Sequence, residues 1–253
     1  MTLQYASDLH LEFSQNQRFL KDNSIQPKGD VLILAGDVVP FAVLDQHDDF
    51  FDYLADHFDK TYWIPGNHEY YKFDLAKKCG TINETVRKNV HLVNNITIKQ
   101  GDVRLILSTL WSHISPPNQW QMQRSISDFQ AIKYNGDRFN VEQFNQQHDD
   151  CLEFITQALQ QETAENTVVV THHVPTLMNY PEQYKGDALN EAFAVELYDL
   201  IQATQPKAWV YGHHHFNTPD FHIGGTQILT NQLGYVKYGG GQYFDVGKTL
   251  IVN

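Results

Sequence analysis

The chain has 253 residues, 42% of them apolar and 19% charged, a balance that excludes intrinsic disorder and a fibrous repeat. Lys plus Arg number 18 against 30 Asp plus Glu, a formal net charge of −12, so long polyanions are repelled on average and a duplex nucleic-acid partner is not expected. Aliphatic runs such as VLILA at 31–35 are strand-sized and far short of a bilayer span, which excludes a membrane-spanning helix.

The first residues, MTLQYASDLH, lack the basic start and apolar stretch of an export signal. LQYA runs up to Ser7 and VLILA up to Gly36, two β-rich segments that each end in a polar cluster. A helix is expected around 45–58, where Phe50, Leu54 and Phe58 recur at i, i+4. YWI then precedes Pro65. The segment 111–138, WSHISPPNQWQMQRSISDFQAIKYNGDR, mixes aromatics with Arg124, Lys133 and Arg138.

A second helix is expected over 141–160, with Val141, Phe144, Cys151, Ile155 and Leu159 on one face, and a third over 190–203 with Phe193, Leu197 and Ile201. TVVV before Thr171 and AWVY before Gly212 read as strands, and 221–252 as consecutive strands with glycine turns. Strands alternating with helices define an α/β fold. No repeat, low-complexity tract or linker interrupts the chain, so one domain over 1–253 is expected. Cys79 and Cys151 form no CxxC pair, which fits free thiols in a reducing, cytoplasmic setting.

Polar residues just beyond the carboxyl ends of strands are where open α/β sheets build sites. Here they read SDLH (Asp8, His10), GD (Asp37), PGNHE (Asn67, His68), THH (His172, His173) and GHHH (His213, His214, His215). Carboxylates, an amide and imidazoles together suit Mn, Fe, Zn, Co or Ni rather than soft Cu(I). If the backbone is extended, Asp8 and His10 point the same way, as do His213 and His215, leaving Leu9 and His214 directed elsewhere. Each cluster alone is an ordinary turn or helix cap; five of them in order are not.

In that order the sequence resembles the calcineurin-like metallophosphoesterases, whose pattern runs D-x-H, GD, GNH[DE], H and GHxH. The resemblance implies a four-layer α/β/β/α sandwich, two facing mixed β-sheets flanked by helices, with two divalent metal ions (Mn, Fe, Zn, Ni or Mg). Carried over, Asp8, His10 and His215 hold one ion, Asn67, His172 and His213 the other, and Asp37 bridges both. His68 stabilises the transferring phosphoryl group and protonates the leaving oxygen, with Asn67 beside it. The first histidine after the strand, His172, is the ligand, so His173 and His214 are supporting, and Glu69 braces the loop or a ligand histidine. The remaining histidines, including His47, His57, His91, His113, His148 and His222, are expected to be solvated or packed.

The implied activity is hydrolysis of a small phosphate ester by a metal-activated water, a phosphodiester in preference to a monoester. The run GDVVPFA departs from GDxxDRG and argues against the protein-phosphatase branch. The segment 111–138 is expected to form a substrate-facing insertion, with Arg124 as an added phosphate contact. The competing class is a non-enzymatic metal-binding or scaffold protein that retains the fold.

Overall fold

The computed structural model describes residues 1–161 and 166–252. In chain order its strands are β1 (Thr2–Ala6), β2 (Val31–Ala35), β3 (Lys60–Ile64), β4 (Ile82–Arg87), β5 (Val90–Asn94), β6 (Ile96–Gln100), β7 (Val103–Leu107), β8 (Lys133–Tyr134), β9 (Asp137–Arg138), β10 (Thr167–Val170), β11 (Ala208–Tyr211), β12 (Phe221–Ile223), β13 (Thr226–Thr230) and β14 (Thr249–Ile251). The α-helices are α1 (Ser14–Asp22), α2 (Asp48–His57), α3 (Gln119–Ser125), α4 (Asp128–Ala131), α5 (Val141–Gln160) and α6 (Tyr198–Thr204).

Twelve of the strands form two six-stranded sheets, ordered β14-β1-β2-β3-β5-β4 and β12-β13-β11-β10-β7-β6. Each has four central parallel strands and an antiparallel strand at either edge. Alternation along the strands splits their side chains between two faces. Tyr5, Ile33 and Ile64 of one sheet meet Leu105, Val168 and Val210 of the other in a shared core. The opposite faces carry Leu32, Leu34 and Trp63 under Leu20 of α1 and Leu54 of α2, and Val169, Trp209 and Ile228 under Ile155 of α5 and Ile201 of α6. Central strands covered on both sides read as unbroken apolar runs, as VLILA does.

The expected helix over 141–160 forms with those bounds, opened by a capping box in which Asn140 and Gln143 bond each other's backbone N–H groups at 3.0 and 3.1 Å. The helix expected over 45–58 narrows to α2, preceded by a 3-10 stretch at Phe41–His47, and Phe51 rather than Phe50 is its fully buried partner to Leu54. The helix expected over 190–203 breaks in two: 3-10 turns at Ala188–Ala192, then α6. Val174 takes the bonds between them, donating to Phe193 O and accepting from Val195 N, so these groups serve a bridge rather than a helix. The stretch 221–252 contains β12, β13 and β14, but 231–248 is irregular, held by Asn231, whose side-chain amide donates to Tyr5 O and Asp245 O.

Segment 111–138 folds as α3, α4 and the β8–β9 hairpin over an apolar cluster that includes Trp111, Met122, Phe129, Phe139 and Phe144. Among the described residues no helix is long and apolar enough to cross a membrane. Both cysteines are free thiols, Cys151 buried against α5's apolar partners.

Candidate metal centre

The loops after β1, β2, β3, β10 and β11 converge at one end of the two sheets. Backbone bonds lash the first two side by side: Asp8 N donates to Gly36 O, and His10 N to Asp37 O, both at 2.9 Å. The expected extended backbone is not what aligns Asp8 with His10 or His213 with His215. Asp8 (φ 56°), His10 (48°), Asp37 (54°), His213 (81°) and His215 (52°) all adopt left-handed backbone, each at a cost of about 1–2 kcal/mol for a non-glycine residue. Alternate residues face one centre through tight loops, while Leu9 enters the core and His214 turns to Gln232. Such concentrated strain is characteristic of functional sites.

Two donor groups that share Asp37 result, and a third joins His10, Glu12 and His68. Asp8, His10, Asp37 and His215 bring one ligand atom each within 4.8 Å of one another, and so do Asp37, His172 and His213. Asp37 belongs to both, with Oδ2 3.6 Å from His10 Nε2 and Oδ1 3.3 Å from His172 Nε2. Asn67 Oδ1 lies 3.2 Å from His172 Nε2, adding an amide oxygen to the second group. The imidazole tautomers follow from their outer partners: His172 Nδ1 donates to Ala35 O at 2.8 Å and His213 Nε2 to Ala192 O at 3.3 Å. Their opposite nitrogens are 3.1 Å apart, as His10 Nε2 and His215 Nε2 are 2.9 Å apart, and these are the nitrogens whose lone pairs would take a cation. Lone pairs converging on buried carboxylates fit divalent cations, and the donor set suits Mn, Fe, Zn or Ni, with Mg as a harder alternative.

Two motif glycines serve these rings. A Cβ on Gly36, whose φ is +89°, would collide with the His172 ring, and one on Gly212 would stand 2.6 Å from Asp8 Oδ2. Glu69, expected to brace the loop, accepts from Asp37 N, Val38 N, Gly66 N and Trp63 Nε1 at 2.7–3.0 Å. Its carboxylate ties the GD turn to the GNH turn. Burial and the Asp37 charge push it up to about 8, opposed by His172 and those N–H donors.

His68 stands beside the cluster and outside both donor groups that contain Asp37. Its ring stacks on Tyr71 at 4.0 Å, its Nδ1 donates to Glu12 at 2.9 Å, and its Nε2 is 3.1 Å from Tyr235 Oη. Burial opposes its charging, but the carboxylates of Asp37 and Glu12 outweigh that and hold it up at about 9. Asp37 is held well below the usual carboxylate range: His172, His68 and His10 overcome its burial. His173 and His214 lie outside both groups. His173 is fully buried, neither ring nitrogen has a hydrogen-bond partner among the described residues, its ring is 4.0 Å from that of His213, and burial keeps it neutral.

Glu12, Tyr71, Asp128 and Tyr235 were not singled out by the sequence. Asp128, within 111–138, accepts from Asn67 Nδ2 and Tyr71 Oη, both at 2.8 Å. Glu12 had a readable cue, two residues beyond His10 in a D-x-H-x-E run; Asp128 and Tyr235 are distant in sequence and had none. Arg124 is not brought to the site. It is exposed, its guanidinium lies over the Trp120 ring, and it does not line the cleft, whereas Ser125 to Asp128 do.

The cleft above the centre has a volume of about 690 Å³. An α/β sandwich with two histidine- and carboxylate-rich donor groups sharing one aspartate defines a metal-dependent hydrolase. The family described as calcineurin-like phosphoesterase matches residues 1–217, and the chain belongs to it. It is therefore a metallophosphoesterase. It is 31% identical to "uncharacterized protein L509" of Acanthamoeba polyphaga mimivirus over 286 residues, covering 99% of each chain. Its fold is similar to that of phosphopantetheinyl hydrolase (PptH) from Mycobacterium tuberculosis, with a TM-score of 0.72 at 17% identity, covering 100% of this chain and 96% of that one.

Proposed function

We propose that the protein hydrolyses a small phosphodiester at a binuclear metal centre. Asp8, His10 and His215 would hold one ion, Asn67, His172 and His213 the other, and Asp37 would serve both. Divalent ions bound there would act as Lewis acids toward phosphoryl oxygens and supply an activated water. His68, stacked on Tyr71 with Nε2 toward the cleft, delivers a proton to the departing oxygen.

The diester reading rests on the cleft's charge. Among the described residues that line it there is no Lys or Arg, while Asp128 and Asp187 are present. A monoester dianion calls for more positive charge than His68 alone brings, to neutralise the oxygens that the metals leave free. A diester carries one negative charge and a second organic group, and the volume of about 690 Å³, walled by Tyr71, Tyr180, Phe193 and Phe216, leaves room for that group. Segment 111–138 supplies one wall through Ser125–Asp128. PptH acts, by its name, on a phosphopantetheinyl group; an extended, uncharged arm of that kind suits an aromatic cleft and is the first natural diester to try. The free thiols support a cytoplasmic setting.

The test compares bis-p-nitrophenyl phosphate with p-nitrophenyl phosphate for protein loaded in turn with Mn²⁺, Ni²⁺, Mg²⁺ and Zn²⁺. The proposal expects kcat/KM to favour the diester, with activity abolished in Asp37→Asn. A preference for the monoester overturns the diester assignment, and no turnover of any ester by metal-loaded protein returns the non-enzymatic scaffold.

A further inference from the structure

His68 and His10 are joined by Glu12, which the family motif does not include and which makes with them a third group of potential metal donors. Glu12 Oε1 accepts from His68 Nδ1 at 2.9 Å and from His10 Nδ1 at 3.1 Å. Its Oε2 is buried with no protein partner. Among the described residues these two imidazoles are the side chain's only hydrogen bonds, so Glu12 braces no backbone, unlike Glu69. One oxygen thus serves both rings, which pack edge to face at 4.5 Å between centroids.

We infer that Glu12 is a positioning residue that couples the proton-delivering imidazole to the metal centre. By accepting at Nδ1 of both rings it leaves each Nε2 directed away from itself: that of His10 toward His215 and Asp37, that of His68 toward the cleft, where Tyr235 Oη is 3.1 Å away. A histidine ring stacked on one face can still flip by a half-turn about Cβ–Cγ, which exchanges Nδ1 with Cδ2 and keeps the stacking, and the Tyr71 contact is of this kind. The bond to Glu12 removes that freedom. It also fixes the distance between proton donor and metal ligands, since Glu12 and His10 lie two residues apart on one tight loop. The inference rests on the proposed role of His68, and its test separates the two.

The assay pairs methyl phenyl phosphate, whose leaving group needs a proton, with methyl p-nitrophenyl phosphate, whose leaving group needs little. In Glu12→Ala, kcat for the phenyl ester falls about 10- to 100-fold, a partial loss beside the roughly 100- to 10,000-fold that one general acid contributes. At saturating metal the loss on the p-nitrophenyl ester is several-fold smaller, KM is unchanged, and in a His68→Ala background Glu12→Ala costs nothing more. Glu12→Gln, whose amide oxygen keeps the acceptor, recovers most of the loss. An equal loss on both esters, losses that add to those of His68→Ala, or recovery on adding metal overturns the inference. Imidazole ¹⁵N NMR of zinc-loaded protein decides it without turnover. In the wild type the His68 Nδ1–H, held by Glu12, gives a slowly exchanging proton resonance that is lost in Glu12→Ala; an unchanged His68 pattern contradicts the inference. If the wild type cleaves neither ester, the diesterase reading fails while the NMR result still stands for Glu12.

Discussion

Replacing Glu69 with Gln changes one atom in a carboxylate that holds the two turns carrying Asp37 and Asn67. Oε1 accepts from Val38 N and Trp63 Nε1, and Oε2 from Asp37 N and Gly66 N. Whichever oxygen becomes an NH₂ group, two buried donors lose their acceptor and face another donor. Each unsatisfied buried donor costs about 1–3 kcal/mol, so the substitution should destabilise the protein by about 2–6 kcal/mol. Glu69→Ala strands all four donors, and the same arithmetic approaches the entire stability of a typical domain, so the Gln variant is the informative one. Urea unfolding of metal-free protein, followed by tryptophan fluorescence, measures the loss, with Trp63 in the reporting network. A shift of the midpoint equivalent to less than about 1 kcal/mol would refute the view that this carboxylate is the brace of both turns.

Three further outcomes are expected. Asp128→Ala removes the acceptor from Asn67 Nδ2 and Tyr71 Oη and should weaken one of two metal affinities by about 10- to 100-fold in isothermal titration, leaving the other intact; equal weakening of both would count against the ligand assignment. Arg124→Ala should leave KM for the best diester within about twofold, since Arg124 lies off the cleft over Trp120, a change small on the scale of a lost charged hydrogen bond. His148 is buried, donates Nδ1 to Trp111 O at 2.6 Å, and burial holds its pKa low. The unfolded chain takes up a proton at this residue below about pH 6.5, so stability falls as pH drops through that value. Gln at 148 should flatten the urea midpoint between pH 7 and 5, and parallel curves for the two proteins would discount His148 as the source.

The parallel strands β1, β2, β3, β10 and β11 were legible because chains covered on both faces become short unbroken runs, as TVVV, VLILA and AWVY are, whereas VHLVN of β5 and VRLIL of β7 were not picked out. The edge strands β4 and β6 were not legible either. INETVR of β4 and ITIKQ of β6 alternate between polar and apolar residues, and pairing to a neighbour gives them their form. The helix over 190–203 failed for a related reason: its periodicity was genuine, but Val174 claims the backbone groups of Phe193 and Val195 from elsewhere in the chain. At the metal centre every ligand follows a strand, so order along the sequence maps onto one end of the sheets. The residues that orient the ligands follow no such rule. Asp128 reaches Asn67 across 61 residues and Tyr235 reaches His68 across 167; only folding brings them together. The backbone geometry was also invisible in the sequence, since residue types alone do not announce that Asp8, His10 and His213 lie in left-handed conformations.

The account stands on two metal sites that share Asp37. Crystals grown with Zn²⁺ and recorded at the zinc edge would locate the ions by anomalous scattering. Two peaks flanking the Asp37 carboxylate are predicted, one against Asp8, His10 and His215 and the other against Asn67, His172 and His213. A single peak, or a second ion held by His173 in place of His172, would contradict it.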